Sequence, residues 1–259
     1  MLFCVIFPRF FIFLAEKGQM CYFVGKAEEE TPMSLERFVY IETDYVPTLD
    51  MLRDGKFYHG DVDSPAVARL LARCQAAVKP KAVAACVELS HDGEGHVTAI
   101  GGEAVSSPVL DGQLGKLGRA FAFVATCGTE IAEVDYEGDE ELRRALLAFC
   151  IGGMNAVMAR LTKGLTERYH LGKTAVLNPG SLPEWPTADQ DKIFRLLGDV
   201  TGDTGAVLGE NHFMSPLASS SGLLFETEQD YQNCSYCTNL KCVIRRAPYD
   251  PEKAAQLRK

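Results

Sequence analysis

The longest periodic stretch of this 259-residue chain runs from Asp139 to His170. Apolar side chains recur there about every three to four positions, which is the spacing of one face of a helix. They are Leu142, Leu146, Phe149, Val157, Leu161 and Leu165. Gly152 and Gly153 interrupt the stretch, and each glycine costs a helix roughly 1 kcal/mol relative to alanine. The pattern predicts a core helix whose glycines permit either a close contact with a neighbouring element or a kink.

Shorter elements are predicted on both sides of this helix. Ser64 before Pro65 is a helix start, and Thr187-Ala188-Asp189-Gln190 has the form of a capping box. Strands are predicted near residues 38–41, 82–89, 119–126, 207–214 and 222–225. This mixture predicts an α+β fold, with long central helices packed on antiparallel strands.

Composition limits the function. A net charge of -9 argues against sequence-independent binding of nucleic acid. Hydrophobic and charged fractions of 47% and 24% are those of a soluble globular protein, which we expect in the cytoplasm. Nine cysteines cannot all pair internally, and six of them stand singly in apolar stretches. We interpret those six as buried reduced thiols rather than a disulfide framework.

Three regions are expected along the chain. Residues 1–32 are predicted to be an N-terminal extension outside the fold, because the apolar run at the start is too short to span a bilayer and Pro8-Arg9 interrupts it. A peripheral membrane anchor is the alternative. Residues 33–230 form the main domain, and residues 231–259 form a cysteine-rich, metal-binding or cluster-binding tail.

The tail carries Cys234, Cys237 and Cys242 in the spacing Cys-x2-Cys-x4-Cys. Thiols spaced in this way along a short loop can face one point, as a soft metal or an iron–sulfur cluster requires. The spacing alone does not distinguish an iron–sulfur cluster from zinc. A fourth ligand could be Cys74, Cys127, a cysteine of a partner chain or a solvent-exchangeable position.

Residues 178–222 carry a second recognisable pattern. Its parts are Asn178-Pro179-Gly180, Trp185-Pro186, Leu196-Leu197, Thr204-Gly205, the run from Leu208 to Pro216, and Ser219-Ser220-Ser221-Gly222. The pattern resembles the activation domain of cobalamin-dependent methionine synthase, a module that binds S-adenosylmethionine and takes part in reductive rescue of the oxidised corrinoid. The resemblance covers about a fifth of the chain.

The resemblance implies a ligand site. Asn178, Pro179 and Gly180, with Glu210 nearby, would line the cavity that faces the corrin or the methyl donor. Glu210 is expected on a strand, where a solvent-facing position is the alternative.

Two positions depart from the family pattern. The family has arginine at the position of Val176 and tyrosine at the position of Ser181. Valine cannot bind a ligand carboxylate as the arginine fork does. Only backbone groups of residues 178–180 remain as ligand contacts, so S-adenosylmethionine is a doubtful ligand of this chain.

The resulting hypothesis is an accessory component for reductive activation of a cobalamin-dependent methionine synthase or a related corrinoid methyltransferase, not a complete enzyme. The cobalamin would be carried by that partner, and an electron donor protein is a further partner. Arg245 and Arg246 would tune the charge of the cysteine site or dock an acidic partner. The alternative is a non-catalytic binding module of the same fold with a structural zinc site.

Other polar residues receive structural interpretations. His212 is expected to be a hydrogen-bonded structural histidine, Trp185 a packing anchor, and His91 and His96 solvated residues of a turn. The glycines between 198 and 209 follow a helix rather than a strand, which argues against a phosphate cradle. No hydrolase or phosphotransferase motif is present in the sequence.

Overall fold

The structure, a computed structural model, describes residues 5–7, 10–15, 19–23, 36–53, 56–242 and 244–256. The strands are β1 (Val5–Phe7), β2 (Phe10–Ala15), β3 (Gln19–Phe23), β4 (Arg37–Ile41), β5 (Lys81–His91), β6 (Val97–Ile100), β7 (Glu103–Ala104), β8 (Arg119–Thr126), β9 (Thr174–Leu177), β10 (Val207–Leu208), β11 (Met214–Ser215) and β12 (Ser219–Glu226). The helices are α1 (Pro65–Ala77), α2 (Pro108–Leu114), α3 (Glu140–Tyr169), α4 (Gln190–Leu197), α5 (Val200–Thr204), α6 (Asn233–Tyr236) and α7 (Pro251–Gln256), with 3-10 turns at Leu49–Leu52, Thr129–Glu133 and Thr187–Asp189.

Within the described residues, a seven-stranded sheet has the order β7-β6-β5-β8-β12-β9, and β4 also pairs with β5. All of these pairings are antiparallel. Strand β12 pairs with β8 from Ser219–Thr126 to Leu224–Phe121 and with the edge strand β9 from Leu223–Leu177 to Glu226–Thr174. The chain therefore leaves β9 beside the second half of β12. The predicted α+β fold is confirmed.

Alternate residues of the central strands face opposite sides of the sheet, as the pleat requires. One face packs against α4, α5 and the loop before α4; its buried members include Val83, Val87, Leu223, Phe225, Trp185, Ile193 and Leu197. The other face packs against α3; its buried members include Ala82, Ala84, Phe121, Phe123, Leu224, Val157, Leu161 and Leu165. The sheet thus separates α3 from the loop that carries the Pro-Gly motif.

The predicted core helix is confirmed as α3. Its start is capped by the Asp139 carboxylate, which accepts hydrogen bonds from the backbone N–H groups of Glu141 (2.7 Å) and Leu142 (3.2 Å). It ends at His170, which has the left-handed conformation at φ 53°. Among the described residues, α3 is the helix whose length and composition would also suit a membrane span. Its packing on the sheet accounts for that apolar composition.

The adjacent glycines Gly152 and Gly153 of α3 allow close contact rather than a kink. A Cβ atom at Gly152 would lie 2.4 Å from the Tyr45 hydroxyl oxygen, and one at Gly153 would lie 2.7 Å from Cγ1 of Val78. The same Tyr45 hydroxyl donates to the backbone carbonyl of Phe149 over 2.6 Å. The helix remains continuous through this point.

Helices α1 and α3 enclose a third apolar cluster. Ser64 caps α1 as predicted, with Oγ accepting from the N–H of Val67 at 3.3 Å. Cys74, Cys127 and Cys150 are buried in this cluster as free thiols, which confirms that interpretation for these three. Burial raises the pKa of the Cys74 thiol to about 12.

Two local predictions are wrong. The capping box does not form, because Thr187–Asp189 is a 3-10 turn and Oε1 of Gln190 instead accepts from Oγ of Ser221 at 3.1 Å. The strand expected at residues 207–214 is a short hairpin of β10 and β11. It turns because the N–H of Gly209 donates to the carbonyl of Phe213 over 2.9 Å.

Strands β1, β2 and β3 form a separate antiparallel three-stranded sheet. The assignment of residues 1–32 to an extension outside the fold stays a prediction. The end of that segment, from residue 24 on, lies outside the described residues, as does Cys4.

Candidate functional site

The Pro-Gly loop begins where β9 ends, and Asn178 ties it to β12. Its side-chain Nδ2 donates to the carbonyl of Ser221 at 2.8 Å and to Oγ of Ser220 at 3.3 Å. Gly222 makes room for this contact, since a Cβ atom there would lie 2.1 Å from the carbonyl oxygen of Leu177. Two parts of the sequence pattern therefore form one structural unit, although Asn178 and Ser220 are 42 positions apart.

The backbone of the loop is closed on itself. Gly180 has φ 78°, and a Cβ atom there would lie 2.3 Å from Oγ1 of Thr187, so this position favours glycine. Its N–H donates to the carbonyl of Trp185 at 2.8 Å, and the N–H of Ser181 donates to the carbonyl of Asn178 at 3.2 Å. A ligand that used the same backbone groups would compete with these hydrogen bonds.

Trp185 anchors the loop to the sheet. Its side chain is buried in the core cluster, and its indole N–H is bound by Asp189. The backbone carbonyl of the preceding residue, Glu184, accepts from Oγ of Ser107 at 2.7 Å. The packing interpretation of this tryptophan is confirmed.

Val176 does not point toward the loop face. It packs partly buried against the α3 side of the sheet, whereas its neighbours Ala175 and Leu177 belong to the opposite face. The residue that departs from the family pattern is therefore a packing residue in this chain.

Glu210 lies exposed in the turn between β10 and β11, not on a strand. In the same turn His212 has φ 59°, and its Nδ1 lies 3.1 Å from Oδ1 of Asp191 in α4. The expectation of a hydrogen-bonded structural histidine is confirmed. The structure places Glu210 in a hairpin turn held against the start of α4, and a ligand role for it stays a prediction.

The cysteine segment is joined to the Pro-Gly loop through Asn233. Its Nδ2 donates to Oδ1 of Asn178 at 2.8 Å, and its Oδ1 accepts from the hydroxyl of Tyr231 at 2.7 Å. Tyr231 is buried and stacks on Tyr236, with ring centroids 5.0 Å apart. The residue before the first cysteine is thus fixed directly to the candidate ligand loop.

Cys234, Cys237 and Cys242 lie half-buried as free thiols in one loop. The backbone N–H of Arg246 donates to Sγ of Cys234 at 3.3 Å, and such hydrogen bonds to sulfur tune metal–thiolate sites. The donor chemistry fits a soft metal or an iron–sulfur cluster. Among the residues that the structure describes, however, no group of three or more His, Cys, Asp or Glu side chains is arranged to hold a metal ion.

Arg245 lies inside this loop rather than facing a partner. Nη1 donates to the carbonyl of Cys234 at 2.6 Å and that of Ala247 at 3.1 Å, and Nη2 donates to the carbonyls of Cys237 and Asn239, both at 2.8 Å. These bonds occupy the guanidinium, so the expectation that Arg245 docks an acidic partner is not supported.

The two internal candidates for a fourth ligand lie elsewhere. Cys74 and Cys127 are fully buried in the cluster around α1 and α3. Cys237 packs against the cluster on the other face of the sheet. Neither buried cysteine is exposed toward the loop.

Sequence reasoning missed Asn233 and the internal role of Arg245. The only local signal was their position, because Asn233 directly precedes the first cysteine and Arg245 follows the last by three residues. The partner of Asn233 is 55 residues away and no local pattern indicates it.

The fold and site define an α+β domain whose cysteine-bearing segment is attached to a Pro-Gly loop. No family model and no curated protein matches the chain. Among solved structures, the chain is similar to one described as the crystal structure of the MetH reactivation domain bound to AdoHcy. That similarity has 19% sequence identity and a TM-score of 0.49, and it covers 75% of this chain and 80% of the other.

Proposed function

We propose that this chain is an accessory component for reductive activation of a cobalamin-dependent methionine synthase or a related corrinoid methyltransferase. The observation that carries the proposal is the Asn178 unit. Two separated parts of the activation-domain pattern, Asn178-Pro179-Gly180 and Ser219-Ser220-Ser221-Gly222, meet through the side chain of Asn178. A coincidental sequence match would give no reason for these parts to be in contact.

The cysteine segment supplies the second part of the proposal. Cys234, Cys237 and Cys242 would hold an iron–sulfur cluster, which when bound supplies a one-electron donor at low potential. Asn233 fixes this segment to the Pro-Gly loop. Electron donor and ligand loop would thus present one surface to the partner that carries the cobalamin.

The ligand loop would face the corrin or the methyl donor. Asn178 would act here chiefly as a positioning residue, because its side chain is used by Ser220, Ser221 and Asn233. S-adenosylmethionine as methyl donor stays a doubtful part of the proposal, since neither Val176 nor Ser181 supplies the charged or aromatic contact of the family.

The proposal is tested with protein purified without oxygen. Iron and acid-labile sulfide are measured first, and the protein is then mixed with a cobalamin-binding protein in its Co(II) state, a reductant and S-adenosylmethionine. We expect iron in the protein and absorbance changes of methylcobalamin formation that depend on the protein.

A cysteine-to-serine pair provides the control. Cys237→Ser should abolish the iron signal and the reaction. Cys86→Ser should change neither, because Cys86 is a half-buried cysteine of β5 outside the loop. Stoichiometric zinc without iron would contradict the electron-transfer role and favour the structural binding module. Iron with neither Co(I) nor methylcobalamin formation would contradict the role in cobalamin activation.

A further inference from the structure

A cleft of about 180 Å³ lies at the end of the sheet away from the Pro-Gly loop. The residues that line it precede or begin β8, follow α3 and end β12; they include Lys116, Arg119, Phe121, Leu171 and Glu226. We call it the Arg119 cleft. The Pro-Gly loop meets β12 at Ser221, so a length of strand of roughly 17 Å separates that contact from Glu226. The cleft is therefore a different site from the candidate ligand loop.

Two buried apolar side chains form one wall of the Arg119 cleft. Phe121 is 1% exposed and Leu171 is 8% exposed, and both belong to the cluster between the sheet and α3. The Phe121 ring contacts Tyr169, the last residue of α3, with ring centroids 4.7 Å apart. Because the helix ends at this point, it does not cover the sheet further on. A ligand in the cleft would therefore place an apolar group against Phe121 and Leu171.

Opposite charges line the same cleft without pairing with each other. The register that pairs Leu224 with Phe121 would, if continued, set Glu226 opposite Arg119. Side chains that are directly opposite on antiparallel strands are close enough to interact. Among the described residues, however, neither Arg119 nor Lys116 forms a salt bridge with Glu226 or with another carboxylate. Two cations and a carboxylate thus remain available to a ligand.

The facing charges are held in place by other groups. The Arg119 guanidinium lies over the Tyr169 ring, 5.1 Å from its centroid, a favourable cation–π position. Oε1 of Glu226 accepts a hydrogen bond from the backbone N–H of Gly172 at 2.6 Å. This bond uses one carboxylate oxygen and leaves Oε2 for a second donor. Both charges are therefore positioned before a ligand arrives, which lowers the ordering cost of binding.

We propose that the Arg119 cleft binds a small α-amino acid with an apolar side chain. The ligand carboxylate would bind Arg119 and Lys116, its ammonium group would bind Glu226, and its side chain would pack on Phe121 and Leu171. The volume is somewhat larger than the roughly 150 Å³ of a protein cavity that holds benzene, so a side chain as large as that of leucine fits. The inference depends neither on the cysteine site nor on the proposed function.

A series of probes tests which parts of the ligand matter. The wild-type protein is titrated, with NMR detection, with L-leucine, with glycine, which lacks the apolar side chain, with 4-methylpentanoate, which lacks the ammonium group, and with 3-methylbutylamine, which lacks the carboxylate. We expect L-leucine to bind with a dissociation constant at or below about 1 mM. Each other probe should bind at least about 10-fold more weakly, because it lacks one of the three contacts.

Two variants test which residue contacts which end of the ligand. Glu226→Gln keeps an acceptor for the N–H of Gly172 but removes the charge. It should bind L-leucine about 10-fold more weakly and 4-methylpentanoate no more weakly than the wild-type protein. Arg119→Gln should bind both carboxylate ligands about 10-fold more weakly and leave 3-methylbutylamine unaffected. A general loss of structure would not give these opposite patterns.

The matched control is Lys79→Gln, which changes the net charge as Arg119→Gln does. Lys79 is exposed just before β5, where Lys81 pairs with Thr126 at the far end of β8 from Arg119. This control should bind every probe like the wild-type protein. Thermal unfolding shows whether the variants fold. If Arg119→Gln does not, Lys116→Gln at an exposed position takes its place, with the same pattern expected.

Absence of L-leucine binding up to about 10 mM would overturn the inference. Equal affinities for L-leucine and 4-methylpentanoate would also overturn it, because the cleft would then be a site for anions only. Wild-type affinity for L-leucine in both Glu226→Gln and Arg119→Gln would show that the amino acid binds elsewhere. Each of these outcomes leaves the proposed function standing, since that function is tested by iron content and cobalamin chemistry.

Discussion

Asn233 donates a hydrogen bond from its side-chain Nδ2 to Oδ1 of Asn178 over 2.8 Å, and so connects the cysteine segment to the Pro-Gly loop. Asn178 in turn donates to β12. The pair brings the two candidate functional parts of the chain into contact. Either part can therefore affect the position of the other.

The asparagine pair predicts a measurable coupling. Asn178→Ala should lower the free energy of unfolding by about 1–3 kcal/mol, because it leaves the polar groups of Ser221 and Asn233 without partners. Asn233→Ala should lower the free energy of unfolding by a smaller amount. Urea unfolding of both single variants and the double variant should give an interaction energy of about 1 kcal/mol. Strict additivity would show that the contact contributes nothing to stability.

The glycines of the helices predict opposite effects of alanine. Gly153→Ala should destabilise the protein by about 1–3 kcal/mol, since overpacking against Val78 outweighs the gain in helix propensity. Gly112→Ala in α2 is the matched control. A Cβ atom there meets nothing within 4 Å. The free energy of unfolding of this variant should therefore rise by up to about 1 kcal/mol. Thermal unfolding of both variants measures the difference, and a stabilised Gly153→Ala would contradict the close contact.

The turn between β5 and β6 predicts that the stability of the protein depends on pH. Hydrogen bonding to His96 holds the pKa of Asp92 down at about 2, and the same contact raises the pKa of His96 above its ordinary value. The Asp92 contribution to stability is therefore present above an ordinary pKa near 3.8 and lost as the pH falls toward 2. The His96 contribution is present below an ordinary pKa near 6.5 and lost as the pH rises through its folded value.

This pair is tested by titration of the histidine ring signals in NMR spectra. His96 should titrate above its ordinary pKa, and Asp92→Asn should return it toward 6.5. An unchanged His96 titration in that variant would refute the contact. The expectation of a solvated turn histidine is confirmed for His96, which is exposed. It is wrong for His91, which is part-buried with its Nε2 3.2 Å from the carbonyl of Leu114.

The single tryptophan predicts an optical signal. Trp185 is buried and its indole N–H is bound by Asp189. Asp189→Ala should leave that N–H unpaired and lower the free energy of unfolding by about 1–3 kcal/mol. The control is Asp191→Ala, two residues further on. It should lower the free energy of unfolding by less than about 1 kcal/mol, as expected for loss of an exposed contact.

Urea unfolding followed by Trp185 fluorescence measures both variants. The native emission should be blue-shifted, and it should move toward the red in Asp189→Ala if the loop opens. Equal stabilities of the two variants would show that the indole contact does not hold the loop.

Local patterns predicted the elements that depend on periodicity. The helix from Glu140 to Tyr169, the cap at Ser64 and the central strands follow from apolar spacing and capping chemistry, which act within a few residues. The same reasoning failed at the capping box of Thr187 and Gln190, because the Gln190 side chain binds Ser221, 31 residues away. It failed at Glu210 because a backbone hydrogen bond closes the chain into a turn.

The sequence by itself determined that this chain has an α+β core with a long helix, that three thiols crowd its C-terminal segment, and that residues 178–222 carry a recognisable pattern. Only the tertiary structure decided that Asn178 meets Ser221 and Asn233, and that Arg245 lies inside the loop of the thiols. The reason is physical. Apolar periodicity is a property of neighbouring residues, whereas these hydrogen bonds depend on strand register and on where the chain returns after β12.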